Sequence, residues 1–389
     1  MLALLVIIYL AFINLGLPDS ILGAAWPVMH ADIGAPLSFA GVVSVIVCGG
    51  TIVSSLSSNR IISRFGTGKV VAVSVSLTAA ALLGVSFSRS LPVVCLLAVP
   101  LGLGAGSVDA ALNNFVSLRY KARHMSWLHC FWGVGATAGP VIISGFMTAG
   151  GGWRGGYRLV SIIQFVMVLI IILSFPLWKK AGAEVGAEAG AAILPPVTNR
   201  RAIGKKGVKF AMLAFLCYCG YELSAGLWAA SYFVGQKGLS AETAANWAAF
   251  YYGGITLGRL VSGFAAAKLR ERALIRIGFG ISLTGIAVML LPLPPFFSLS
   301  GFVLLGLGSA PFFPMMIHLT PFRFGKEYSQ AVMGLQMAAA YVGSTFVPPL
   351  IGLLSDAFSL AVLPWSILIM AVGALIFCEI TDKKRLREI

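Results

Sequence analysis

Twelve apolar stretches, each near the roughly 20 residues that carry a helix across a bilayer, leave this chain few ways to fold. They cover about 2–28, 38–58, 70–88, 91–118, 125–149, 157–178, 210–234, 243–266, 273–291, 297–318, 329–353 and 360–380. A backbone in lipid has no water to bond with, so each stretch must satisfy its own N–H and C=O groups as a helix. Composition agrees. Of 389 residues, 58% are hydrophobic and only 11% are charged, against about 25% charged in soluble domains. Mean hydropathy is +0.93. The expected fold class is an all-α membrane protein with twelve transmembrane helices. The first apolar run is too long for the core of a secretory signal and has no basic residues before it, so no cleavable leader is expected.

A net charge of +15 raises the question of nucleic acid, and its distribution answers it. Of the 28 Lys and Arg residues, all but Arg89, Arg154, Arg158, Lys237 and Arg259 follow even-numbered stretches or lie in the C-terminal tail. Such asymmetry marks the cytoplasmic side of a multi-pass protein. Both termini are then expected in the cytoplasm and the protein in the cell (inner or plasma) membrane. The bilayer is its macromolecular partner, nucleic acid is not one, and a monomer is expected.

The chain reads as two halves. Residues 179–209, KKAGAEVGAEAGAAILPPVTNRRAIGKKGVK, are rich in Ala, Gly, Pro and basic residues and read as a cytoplasmic linker. It divides a six-helix half at 1–178 from another at 210–389. A shift of 203 lays LAFINLGLPDSILG (10–23) on LAFLCYCGYELSAG (213–226), pairing Asp19 with Glu222. A shift of 204 lays LGLGAG (101–106) on LGLGSA (305–310) and Arg64 on Lys268. The six cysteines all fall in apolar stretches and read as small buried hydrophobes without disulfide or metal roles.

This arrangement resembles the major facilitator superfamily over the whole chain. The resemblance implies two pseudo-symmetric six-helix halves with a substrate site near the bilayer midplane. Past its second span that superfamily usually carries Gly-x-x-x-Asp-Arg-x-Gly-Arg-Lys. Here the stretch is NRIISRFGTG (59–68), where Arg64 and Gly66 fit as gating-loop residues, while Asn59 and Ser63 stand where Gly and Asp are usual.

Three acids lie deep in apolar stretches: Asp19, Asp109 and Glu222. An ionised carboxylate at bilayer depth costs about 2.5 kcal/mol or more. It must be paired, wetted or protonated, and a carboxyl poised that way can load and release a proton. Pro18 has no N–H, so the carbonyl of Asn14 is expected to lack its helical partner. In the fourth stretch, Asp109 and Asn113 fall one turn apart on one face, and Gly102 and Gly106 permit close helix approach. These polar groups act either in coupling or as interhelical staples.

In SWLHCFWGVGATAGP (126–140), His129, Trp132 and Gly133 share a face. Aromatic rings beside polar groups suit a sugar, whose C–H faces pack on rings while its hydroxyls take hydrogen bonds. Trp26 and Trp228 could serve likewise, or could sit in the interfacial aromatic belt. His129 reads as a packed or gating residue or as a ligand. Tyr251, Tyr252 and Arg259 can share one stripe of the eighth stretch. Arg259 either snorkels to the interface or offers a counter-charge to Glu222. Asn246, His318 and Gln336 are further polar candidates, and Pro311 and Pro314 are expected to kink the tenth stretch.

Asp in the first stretch, an acid in the fourth, and LHCFWGVGATAGP resemble the fucose–galactose–glucose:proton symporter family and its sodium-coupled glucose transporter relatives. That resemblance implies coupling roles for Asp19 and Asp109, and, with YCGYELSAGLWAASYF (218–233), substrate-facing roles for Glu222 and Trp228. Asn113, Trp132, Trp228, His129, Tyr252, Gln336 and Trp26 are the candidate substrate-binding residues. Asp19, Asp109 and Glu222 are the candidate proton-coupling ones, with Arg64, Gly66 and Arg259 in gating. The expected function is proton-coupled symport of a monosaccharide or similar neutral solute, with sodium as the other candidate coupling ion. The alternative is a proton-coupled efflux carrier of the same fold. No cofactor, metal cluster or enzyme motif is expected.

Overall fold

The computed structural model describes residues 2–119, 122–183, 199–266 and 268–386. The described residues build long helices: α1 (Leu2–Asp32), α2 (Phe39–Phe65), α3 (Thr67–Phe87), α4 (Leu91–Arg119), α5 (Ala122–Thr148) and α6 (Gly152–Leu173). Two short helices follow, α7 (Phe175–Ala183) and α8 (Asn199–Gly204). Then come α9 (Val208–Lys237), α10 (Ala241–Ala265), α11 (Glu271–Leu290), α12 (Pro295–Ser309), α13 (Phe312–Phe324), α14 (Lys326–Ala357) and α15 (Val362–Leu386). Among the described residues, ten helical stretches are long and apolar enough to cross a membrane, with α12 and α13 taken as one, and Phe39–Ser55 is a shorter apolar helix.

Boundaries differ from the sequence expectation where local chemistry intervenes. The sixth stretch, expected to reach 178, ends at Leu173; Ser174 closes the helix onto the carbonyls of Ile170 and Ile171 and α7 begins. The indole of Trp178 then donates to the Ser174 hydroxyl at 2.9 Å. The expected linker 179–209 therefore starts inside α7, contains α8 and ends in the first residues of α9, and its centre, 184–198, lies outside the described residues. The C-terminal tail expected beyond 380 continues as helix to Leu386. The tenth stretch does break at Pro311, which starts α13 instead of continuing α12, while Pro314 sits in the first turn of α13, where a missing N–H costs nothing.

Two compact units emerge: Met1–Gly190 with Ala229–Tyr252, and Ala191–Trp228 with Gly253–Ile389. In the first, Leu4, Ile8 and Phe12 of α1 share a buried core with Val75 of α3, Leu112 of α4 and Ile171 of α6. The α1–α5 seam is tighter than any side chain allows. A Cβ on Gly16 would overlap the carbonyl of Trp132, and one on Gly135 the carbonyl of Ile13. Gly102 and Gly106 bring α4 equally close to Val47 and Thr51 of α2, where the Ser54 hydroxyl bonds the carbonyl of Leu103 and the hydroxyl of Ser107. Within this unit Ser144 of α5 donates to the carbonyl of Glu242 in the first turn of α10 at 2.8 Å.

In the second unit, α11 and α12 meet through Gly278, Gly285, Gly301 and Gly308. Arg323, with its side chain only 1% exposed, reaches Asp382 of α15 at 2.9 Å. Arg276 takes both carboxylate oxygens of Glu379 at 2.6 and 2.8 Å, so α15 is tied to α11 and α13. Cys217, Cys219 and Cys378 are buried as expected, whereas Cys48, Cys95 and Cys130 are only half-buried.

Candidate functional site

The site in the first unit starts at Pro18. Helix α1 runs through it without stopping, and the carbonyl that it strips of a partner, that of Asn14, accepts from Gln164 of α6 at 3.2 Å. Gln164 is itself held by Thr78 of α3, whose hydroxyl donates to its Oε1 at 2.6 Å. The open carbonyl expected from sequence thus exists in the helix ladder and is closed from a neighbouring helix.

The next residue, Asp19, is exposed despite its place in mid-helix, and its carboxylate accepts the indole N–H of Trp132 at 2.8 Å. A hydrogen bond to an ionised acceptor contributes about 1.5–3 kcal/mol, and the glycine seam between α1 and α5 is what brings the two groups within reach. On α4, Asn113 donates to the carboxylate of Asp109 at 2.8 Å and to its backbone carbonyl at 3.0 Å, as their spacing of one turn requires. Asp109 is near enough to Asp19 to act on it electrostatically. The Oδ1 of Asn113 is buried with no hydrogen-bond partner among the described residues. Helices α1, α4 and α5 therefore contribute two carboxylates, an aromatic ring and a spare amide acceptor. Such a set can hold a proton and bind a hydroxyl beside a ring. His129, half-buried, sets its ring edge-on to Phe12 at 5.9 Å.

In the second unit, Glu222 of α9 and Arg259 of α10 form an ion pair at 3.4 Å, with side chains 18% and 15% exposed. Of the two readings of Arg259, counter-charge is the one adopted. Around the pair, Tyr218 donates to the carbonyl of Ser309 at 3.0 Å, and the Ser309 hydroxyl donates to the Tyr221 oxygen at 3.2 Å.

Several expected substrate residues take other work. Trp26 is fully buried and donates its indole N–H to the carbonyl of Leu37 at 2.7 Å, so it fastens the α1–α2 turn and is neither a belt residue nor a ring open to solute. Trp228 is likewise fully buried, bonded to the carbonyl of Pro348 at 3.0 Å, where α14 carries two prolines. Tyr252 is buried with its ring edge against Tyr251, in the first unit. Gln336 is fully buried and accepts from Thr320 at 3.0 Å, joining α13 to α14. His318 is exposed and lies 3.1 Å from Glu271, and Asn246 is exposed on α10.

At the expected gating loop, Gly66 takes φ 81° and ψ 152°, a conformation essentially confined to glycine, and separates α2 from α3. Arg64 is exposed, with its guanidinium 5.4 Å above the ring of Phe65. The side chains of Asn59 and Ser63 lie outside the described residues. Sequence reasoning overlooked Gln164 and Thr78. The signal was present: Gln164 is the lone amide in SIIQFVMVLIIIL, and an amide in such a run needs a partner across a helix interface.

The sequence pattern of the Major Facilitator Superfamily matches residues 8–348 and, again, 210–385. Among characterised relatives, the glucose/mannose transporter GlcP of Bacillus subtilis is 26% identical over 265 residues, which is 67% of this chain and 65% of GlcP. A Helicobacter pylori relative named for glucose and galactose transport is 23% identical over 270 residues, 66% of this chain and 64% of its own. The cis,cis-muconate transport protein of Acinetobacter baylyi is 22% identical over 342 residues, 82% of this chain and 79% of its own. The match thus spans less than two thirds of the length of either sugar carrier. The helices of membrane-spanning length and a pattern match that runs almost from end to end together make this chain a member of the Major Facilitator Superfamily, a family of transporters and not enzymes.

Proposed function

We propose that this protein is a proton-coupled symporter of a monosaccharide. Its halves, 1–178 and 210–389, joined by the linker 179–209, alternate access to a midplane site in the cell membrane, with both termini in the cytoplasm. The observation that carries the reading is the Asp19 carboxylate: set in a membrane-crossing helix, exposed, held by the Trp132 indole and within electrostatic reach of Asp109. A carboxylate in that position has a reason to exchange a proton, and two of them on neighbouring helices disfavour an anionic cargo such as a dicarboxylate. The ring of Trp132 suits the C–H face of a sugar. The sugar relatives point the same way.

The experiment is uptake into proteoliposomes with labelled hexoses and a pH-sensitive dye outside. Glucose, mannose or galactose should enter against its gradient, and the exterior should turn alkaline as it does. Uptake that ignores the pH gradient and follows sodium assigns the coupling to sodium. Uptake of a dicarboxylate but of no sugar overturns the substrate assignment.

A further inference from the structure

We propose that α1 binds one water molecule beside Asn14, one turn before Pro18, in a small pocket between α1, α3, α4 and α6. A cavity of about 10 Å³ lies there, lined by Asn14, Leu15 and Pro18 of α1 and by Thr78, Val108 and Gln164 among the residues facing them. That is about the volume one water needs. The pocket also carries an unmet demand. Asn14 is 4% exposed, and its Oδ1 has no hydrogen-bond partner among the described residues. A buried amide oxygen left open costs about 1–3 kcal/mol, and a buried water is the usual remedy where two to four polar partners converge.

Those partners are present. Water donates one hydrogen to Asn14 Oδ1. Its second hydrogen has two acceptors at hand. The Thr78 oxygen keeps its lone pairs when its proton goes to Gln164, and Gln164 Oε1 keeps a second lone pair after accepting from Thr78 at 2.6 Å. The placement gives the water a role. The same Gln164 closes the Asn14 carbonyl that Pro18 leaves open, so the water completes a polar node where Pro18 interrupts the helix ladder, just before Asp19. The helix can flex there while its polar groups trade partners inside the node, and none is left bare in an apolar surround.

The first test is a density map of the unaltered full chain, at a resolution that shows ordered water elsewhere inside it. A peak within hydrogen-bonding distance of Asn14 Oδ1 is expected, and an empty pocket overturns the proposal. The second is thermal unfolding of Asn14→Leu, whose side chain has a similar shape and fills the space. If the pocket holds water, the variant loses the water's bonds and its midpoint falls by several degrees. If the pocket is dry, leucine removes an orphaned amide and the midpoint stays or rises, which also overturns the proposal. Should Asn14→Leu fail to fold, the map of the parent protein decides.

Discussion

The indole N–H of Trp132 points at the carboxylate of Asp19 across 2.8 Å, from one helix to another 113 positions away in the chain. Neither group has this role alone: the ring supplies the donor, and the acid supplies the charge that the donor stabilises.

Replacing Asp19 by Asn keeps an oxygen for the indole and removes the ionisable group. Expression and unfolding midpoint should stay close to the parent, while uphill sugar uptake should fall to simple equilibration, because α1 then carries no group that can take up the proton. Trp132→Phe, which keeps a ring and removes the donor, should show a smaller fall. Uptake in liposomes with an imposed pH gradient measures both; full accumulation by Asp19→Asn removes the coupling assignment.

The α1–α5 seam should tolerate no side chain at Gly135. A Cβ there meets the carbonyl of Ile13, so Gly135→Val must push the helices apart. Overpacking of this kind costs about 1–3 kcal/mol, and the separation should also stretch the Asp19–Trp132 bond. Lower unfolding midpoint together with reduced uptake is the expected pair of results; Gly145→Ala, with open space around its Cβ, is the control.

Glu222 and Arg259 should behave as a coupled pair. Removing either one leaves a half-buried charge without its counter-charge, so the double alanine variant should lose less stability than the two single losses added together. The interaction energy from the four-protein cycle should be about 0.5–3 kcal/mol. Strict additivity would mean that the 3.4 Å contact contributes nothing.

Gln164→Leu should destabilise the protein by about 1–3 kcal/mol, because it strips a partner from both the Asn14 carbonyl and the Thr78 hydroxyl. The neighbouring Ile162, which is 55% exposed, should accept the same replacement with no measurable shift, and comparison of the two midpoints is the check.

At the α2–α3 break, Gly66→Ala forces a Cβ into a backbone region that only glycine occupies readily. The strain is about 1–3 kcal/mol, with nothing within 4 Å of the new Cβ to add a clash. A lower unfolding midpoint without any change in cargo selectivity is expected, read from thermal unfolding and from a competition panel of sugars.

Much of this protein could be read from its residues in order. Apolar runs of bilayer length dictate helices, because lipid offers a backbone no other partner. The pairing of Asp109 with Asn113 follows from their spacing along one helix, and the open carbonyl at Asn14 follows from Pro18 alone. These are local consequences of covalent structure and of the solvent. What closes that carbonyl was not legible, since Gln164 comes 150 positions later and only packing of α6 on α1 brings it there. The same holds for the tryptophans. Trp26, Trp132 and Trp228 look alike in the sequence, yet two are sealed on backbone carbonyls and one faces a carboxylate. Sequence determined the helices and the costly groups they carry. Tertiary structure alone decided which partner meets each buried polar atom, because that depends on helix approach set by glycines such as Gly16 and Gly135, on faces no periodicity can rank.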